Sequence, residues 1–303
     1  MQIAVALFQQ VIVMFALMAI GYLLRRGGIL GAESSGDLGK LLVNAVLPAV
    51  VVRSFWTAAG DGRGGELVQS FAISVVLLAL AMAVGRALQV RHPVGDFSVA
   101  FSNAGFIGIP LARAVLGDGS VFFIAPFIAL LNVLQWTYGQ RLLSGARNRP
   151  DIRSILLSPM LIAMVAGLAL YGMAMPLPAL VGTVLDDVAA LNSPLAMIVL
   201  GCYLAESDLR MLLSTGNLYS VAMERLLVVP LLSVALLAFA PGGTDLKLSL
   251  LLAAAAPVGT NVAIFARQND SDYTYASGCV CLSTLASLVT MPVVMAVATV
   301  FLG

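Results

Sequence analysis

Asn103 and Asn261 stand at matching places in two apolar stretches, each inside a run of residues that interrupt helices. The runs are Ser102-Asn103-Ala104-Gly105-Phe106-Ile107-Gly108-Ile109-Pro110 and Ala256-Pro257-Val258-Gly259-Thr260-Asn261. Pro110 and Pro257 lack an amide hydrogen, so each frees a carbonyl one turn earlier, while Gly105, Gly108 and Gly259 let the backbone unwind and approach a neighbour closely. A helix broken inside a membrane presents two kinds of polar end. The half that starts at the break offers unpaired amides and a positive dipole end, which suits an anion; the half that stops there offers free carbonyls, which suit a cation such as Na⁺. The side chains of Asn103, Thr260 and Asn261 add neutral polar groups, and either asparagine can equally serve only to cap a broken end.

Charge inside an apolar stretch is costly and marks function by default, which singles out Glu224 and Arg225 as a coupling-ion or charge site. Adjacent residues on a helix point about 100° apart, so the two cannot face one site. The competing reading is that Arg225 snorkels to the cytoplasmic interface and Glu224 pairs with another helix. Asn44, Asn132, Gln135, Thr137, Ser283 and Thr284 are the remaining polar candidates, and spacing alone leaves open whether they line a cavity or bridge helices.

The elements that must position these residues follow from composition. Hydrophobic residues make up 60% of the 303, charged residues 10% and mean hydropathy is +1.01, which excludes a soluble globular domain. Ten stretches are long enough to cross a bilayer, at 4–24, 38–57, 66–88, 96–117, 121–143, 154–172, 186–206, 216–240, 246–268 and 273–302. These are spans one to ten. The first has nothing basic before it and Arg25-Arg26 after it, and so reads as a retained span, not a cleaved leader. Of sixteen Lys and Arg, eleven fall in the loops after odd-numbered spans or at the span ends beside them, four in or beside the opposite loops, and Arg225 lies deep within a span. The positive-inside rule then places both termini outside and the central loop, Ser144 to Asp151, in the cytoplasm.

That loop divides the chain into 1–145 and 146–303, five spans each. An odd number per half means that the second enters the membrane from the opposite side, so two halves sharing a fold form an inverted repeat. Asn44-Ala45-Val46-Leu47-Pro48 in span two is echoed by Asn192-Ser193-Pro194 in span seven, and the two broken runs fall in spans four and nine. Spans four and nine then run in opposite directions and cross at their breaks.

Several function classes drop out. There is no GxxxxGK[ST] motif for ATP hydrolysis, no HExxH, and no acidic cluster within the spans, so no metal site and no cofactor are expected beyond a coupling Na⁺ or H⁺. Nothing points to nucleic acid. The three cysteines, Cys202, Cys279 and Cys281, lie within apolar helices and read as packing residues.

The stretch Asn103 to Leu111 followed by Gly117, together with Asn44 to Pro48, Arg225 with Pro230, and Pro257 with Asn261, Ala263 and Ala266, resembles the bacterial branch of the auxin efflux carrier family, whose members include malate and malonate permeases. The resemblance covers the whole chain. It implies an all-α polytopic secondary carrier of ten helices in two inverted repeats. Spans one, two, six and seven would form a scaffold and the others a moving transport domain with crossed helices four and nine. It also implies homodimers and a small organic anion as substrate, moved across the plasma membrane (the bacterial inner membrane) by an elevator-like mechanism. The chain lacks the long central loop of plant relatives, and its third span, with Gln69, Ser70 and Ser74, carries no acid or lysine, which leaves Na⁺ symport, Glu224 titration and plain uniport open. Two alternatives stand beside this: a sodium-coupled carrier like the bile-acid symporters, of the same architecture, and a membrane-embedded enzyme on lipid-linked substrates, which would need more titratable groups than Glu224 and Arg225 supply.

Overall fold

The computed structural model describes residues 2–144, 153, 156–174, 178–206 and 215–302. The central loop beyond Ser144, with Arg147 and Arg149, lies outside the described residues, as does Arg210. Among the described residues the chain is helical, with one isolated antiparallel bridge between Ser102 and Val258. Among the described residues six helical segments are long and apolar enough to cross a membrane: Glu33–Thr57, Gly64–Leu88, Ser120–Ser144, Ala179–Glu206, Gly216–Phe239 and Tyr273–Leu302. Gln2–Arg26 forms a further helix of 25 residues, and Ala104–Leu116 and Pro159–Met173 are shorter apolar ones.

Two helices start earlier than hydropathy alone places them. Helix in span two begins at Ala32, because the turns carrying Glu33, Asp37 and Lys40 continue the helix beyond its apolar part. Span seven begins at Ala179 and pauses at Leu191 between Ala179–Ala190 and Asn192–Glu206. Asp186 therefore sits mid-helix, where it pairs with Arg53 of span two.

Three prolines sit directly after a π turn. Leu42–Val46 precedes Pro48, Ala104–Gly108 precedes Pro110, and Glu224–Val228 precedes Pro230. A proline ring clashes with the carbonyl four residues back. Those carbonyls belong to Asn44, Phe106 and Leu226, each inside the widened turn, where the extra residue makes room for the ring.

Spans one, two, six and seven are tied closely to one another. A Cβ on Gly21 would run into the Ile198 carbonyl, and one on Gly201 into the Met18 carbonyl, so the backbones of spans one and seven touch. In span six, a Cβ on Gly167 would lie 2.8 Å from Phe55 Cδ2 of span two. Arg25 Nε donates to Glu206 at 2.9 Å, closing the same ends of spans one and seven. Spans three to five and eight to ten have their own ties, including Ser70 Oγ to the Phe123 carbonyl at 2.6 Å and Asn261 Nδ2 to Gln135 Oε1 at 2.8 Å. Where the two groups meet, the surfaces are largely apolar: Ile107 and Leu111 face Val11, Met14, Met18 and Met197, and Phe55 meets Phe122 edge-on at 5.6 Å.

Candidate functional site

Spans four and nine are each broken, and the breaks cross. Helix Pro93–Ala100 ends at an extended Phe101, and the chain turns helical again at Ala104. Thr244–Ala255 ends likewise, and Asn261–Gln268 follows. Between them the two strands pair antiparallel: the Asn103 amide donates to the Pro257 carbonyl at 2.8 Å and the Gly259 amide to the Phe101 carbonyl at 3.0 Å. Each break thus satisfies part of the other's backbone, as buried peptide groups must be. Ser283 Oγ of span ten accepts from the Val258 amide at 3.1 Å and fixes the crossing from the side.

The break in span four falls at the start of the run expected from the sequence and does not extend to its proline. The unwound residues are Phe101 to Asn103, and Pro110 lies further on, in the first turn of Ile109–Leu116. Pro257, by contrast, is inside its break. Gly105 and Gly108 belong to the π turn: Gly105 packs on the Leu47 side chain, and Gly108 lets span four approach span nine, with a Cβ position 3.4 Å from Ala253 Cα.

Gly259 has the tightest place at the crossing, since a Cβ there would lie 3.1 Å from the Ser102 carbonyl oxygen and 3.3 Å from that of Phe101. Both neighbours are backbone, held by the pairing just described. Gly259→Ala is expected to destabilise the protein by about 1–3 kcal/mol, as overpacking does. Thermal unfolding in detergent reads this directly, and an unchanged melting temperature would mean that the crossing yields freely.

Arg225 is 1% exposed and does not snorkel, so that reading is corrected. Its guanidinium reaches the carbonyls that end the two first half-helices. Nη1 donates to the Val99 carbonyl at 3.0 Å, Nε to that of Ala256 at 3.0 Å, and Nη2 to that of Ala254. The carbonyls expected to be free are held by a side chain. Glu224 points elsewhere, as adjacent helical residues must. Gln89 Nε2, at the end of span three, donates to both its oxygens at 2.9 and 2.8 Å, and Ser220 Oγ donates to Oε1 at 2.7 Å.

Asn103 is 5% exposed, and its Nδ2 is buried without a hydrogen-bond partner among the described residues. It lies where the second half-helix of span four begins. Thr260 is 6% exposed at the corresponding start in span nine, and Asn261 is held by Gln135. Asn192 of span seven reaches the Gly105 carbonyl with Nδ2 at 3.4 Å, while its Oδ1 is buried and unpartnered. The structure does not bring Asn44 and Asn132 to the crossing through hydrogen bonds: each bonds back along its own helix, to the Lys40 carbonyl at 2.8 Å and the Ile128 carbonyl at 2.9 Å. Phe97, Phe101, Trp136, Tyr138 and Phe265 form a connected aromatic cluster, edge to face except for the tilted pair Phe97 and Phe265.

Gln89 and Ser220 were not legible as site residues. Gln89 lies in a polar loop, where a glutamine carries no signal, and Ser220 becomes relevant only through its helical spacing of four from Glu224. Among the described residues no group of three or more His, Cys, Asp or Glu could hold a metal ion.

The sequence model described as "Membrane transport protein" matches residues 6–295. A protein of Methanothermobacter thermautotrophicus named "Uncharacterized transporter" is 26% identical over 296 residues, covering 94% of this chain and 96% of its own length. A protein of Rhizobium meliloti named "Putative malonate transporter" is 24% identical over 296 residues, 91% of each chain. Since the family match runs from span one to span ten of a chain with several membrane-crossing helices, this multi-pass membrane protein belongs to the auxin efflux carrier family of membrane transport proteins.

Proposed function

We propose that this chain is a secondary active transporter, not an enzyme, that moves a small organic anion bearing a carboxylate across the plasma membrane. The observation that carries the reading is the unpartnered, buried Nδ2 of Asn103 at the start of a half-helix, beside the antiparallel crossing. An anion there would meet a side-chain donor and the positive end of a helix together. The name of the Rhizobium meliloti relative adds a dicarboxylate as the first substrate to try.

The division of contacts supports an elevator-like mechanism. Close backbone packing unites spans one, two, six and seven, and hydrogen bonds unite spans three to five with eight to ten, whereas the surfaces between the groups are largely apolar. Apolar surfaces slide without leaving unpaired polar groups behind. In this reading the chain comprises ten spans in two inverted repeats, 1–145 and 146–303, with both termini outside, as the charge distribution of the loops favours.

The test is charge movement in proteoliposomes on a solid-supported membrane, with malonate, malate and monocarboxylates, each with and without Na⁺ and a pH gradient. A saturable current for one anion class is expected. Flux that rises linearly without saturation would indicate a channel, and turnover of a lipid-linked substrate without solute flux would replace the carrier by an enzyme.

A further inference from the structure

We propose that Arg225 is the resident cation of this carrier: its guanidinium holds the position that a coupling Na⁺ would take, and transport proceeds without Na⁺. The inference rests on the reading of the crossing as the transport site. Carbonyl ends of discontinuous helices are where a coupling cation binds in secondary carriers. Here both such ends converge, and each carries roughly half a negative elementary charge. Together they call for about one positive charge, which Arg225 supplies.

The geometry leaves little for a second cation. Val99 and Ala254, in the last turns of Pro93–Ala100 and Thr244–Ala255, and Ala256, just after the second, give their carbonyl oxygens to Nη1, Nη2 and Nε. The planar guanidinium reaches three acceptors in a fixed fork, which a spherical ion or an ammonium cannot reproduce. Among the described residues no carboxylate pairs with this charge to offset its burial, and Glu224 is turned to Gln89 and Ser220. The helix ends therefore compensate Arg225, and Arg225 compensates them. The same clamp fastens both first half-helices to span eight, so the crossing moves as one piece.

A fixed positive charge that travels with the moving domain and returns with it adds nothing to the net charge of a full cycle. Net charge per turnover is then that of the substrate and any proton moved with it, and the Na⁺ gradient contributes no driving force.

The experiment uses the full chain in two arms. In detergent, melting temperature is measured in Na⁺, K⁺ and choline at equal ionic strength, for wild type, Arg225→Ala and Arg225→Lys, with and without millimolar guanidinium ion. In proteoliposomes, malonate uptake is measured under the same ions. Wild type is expected to be indifferent to Na⁺ in both arms. Arg225→Ala is expected to lose uptake about tenfold or more, the worth of a partly buried charge at helix ends, and to regain melting temperature and uptake when guanidinium is added. Arg225→Lys keeps the charge without the fork and should fall between the two. If Arg225→Ala does not fold, the wild-type and Arg225→Lys arms decide.

Na⁺-specific stabilisation or Na⁺-dependent uptake by the wild type would overturn the proposal, as would an Arg225→Ala protein that melts like wild type and ignores guanidinium. Should wild type take up no malonate in any ion while guanidinium still restores Arg225→Ala melting, the resident cation stands and it is the carboxylate reading that fails.

Discussion

A leucine at Gly201 is expected to keep span one from docking on span seven, and the protein should then fail to accumulate as a monodisperse, folded species. Gly201 and Gly21 face each other's chains: a Cβ on Gly201 would collide with the Met18 carbonyl and lie 2.8 Å from the Tyr22 amide nitrogen, and one on Gly21 would collide with the Ile198 carbonyl. Small residues that let helix backbones touch are a main source of association between membrane helices. A leucine there meets main chain, which cannot swing aside as a flexible side chain can. Overpacking a core costs about 1–3 kcal/mol even when side chains can yield, and a collision with backbone sits at or above the upper end. Gly21→Leu should behave alike. Gly65→Leu is the control, because nothing lies within 4 Å of a Cβ at that position. Size-exclusion profile and melting temperature report the outcome, and a Gly201→Leu protein that melts with the wild type would show that the two helices do not rely on this contact.

Asn103→Ala should have the opposite profile, with transport lost and stability kept. The Nδ2 of Asn103 bonds to no described residue, so its removal strands no partner, and the backbone bond from the Asn103 amide to Pro257 does not involve the side chain. What is lost, on the proposed reading, is a donor to the substrate. A hydrogen bond to a charged group is worth about 1.5–3 kcal/mol, so uptake should fall roughly 10- to 100-fold at subsaturating substrate. Asn261→Ala makes a less clean comparison, since it also leaves Gln135 Oε1 without its donor. Were uptake to fall only in proportion to a lowered melting temperature, Asn103 would serve the packing of the crossing and not the substrate.

The broken runs were legible because Gly, Pro and Asn are the residues by which a membrane helix can be interrupted, and the run containing Pro257 falls where the sequence places it. In the run containing Pro110 only the first two residues, Ser102 and Asn103, unwind together with Phe101, because pairing with span nine stabilises the extended form there, while the Pro110 ring is absorbed by a π turn. Arg225 was recognisable as a costly charge, but its partners are carbonyls of Val99, Ala254 and Ala256, and a backbone acceptor leaves no trace in side-chain identity. Asn44 and Asn132 show another thing that side-chain identity does not reveal. A polar side chain on an apolar helix can satisfy itself on its own preceding turn, and both do.

The π turns before Pro48, Pro110 and Pro230 have a consequence for how this chain tolerates change in length. Each is a helix carrying one residue more than its regular turns require, so the faces on its two sides are about 100° out of phase with an uninterrupted helix. Replacing Pro230 by alanine removes the ring but not the surplus residue. Deleting one residue between Leu226 and Val229 would remove the surplus and straighten span eight with the faces on both sides left in place, whereas a span that kept the residue but wound as a regular helix would swing one side round by about 100°, and Arg225 would no longer share its present phase with the helix beyond it. In these three places the count of residues, more than their identity, holds the aim of the side chains.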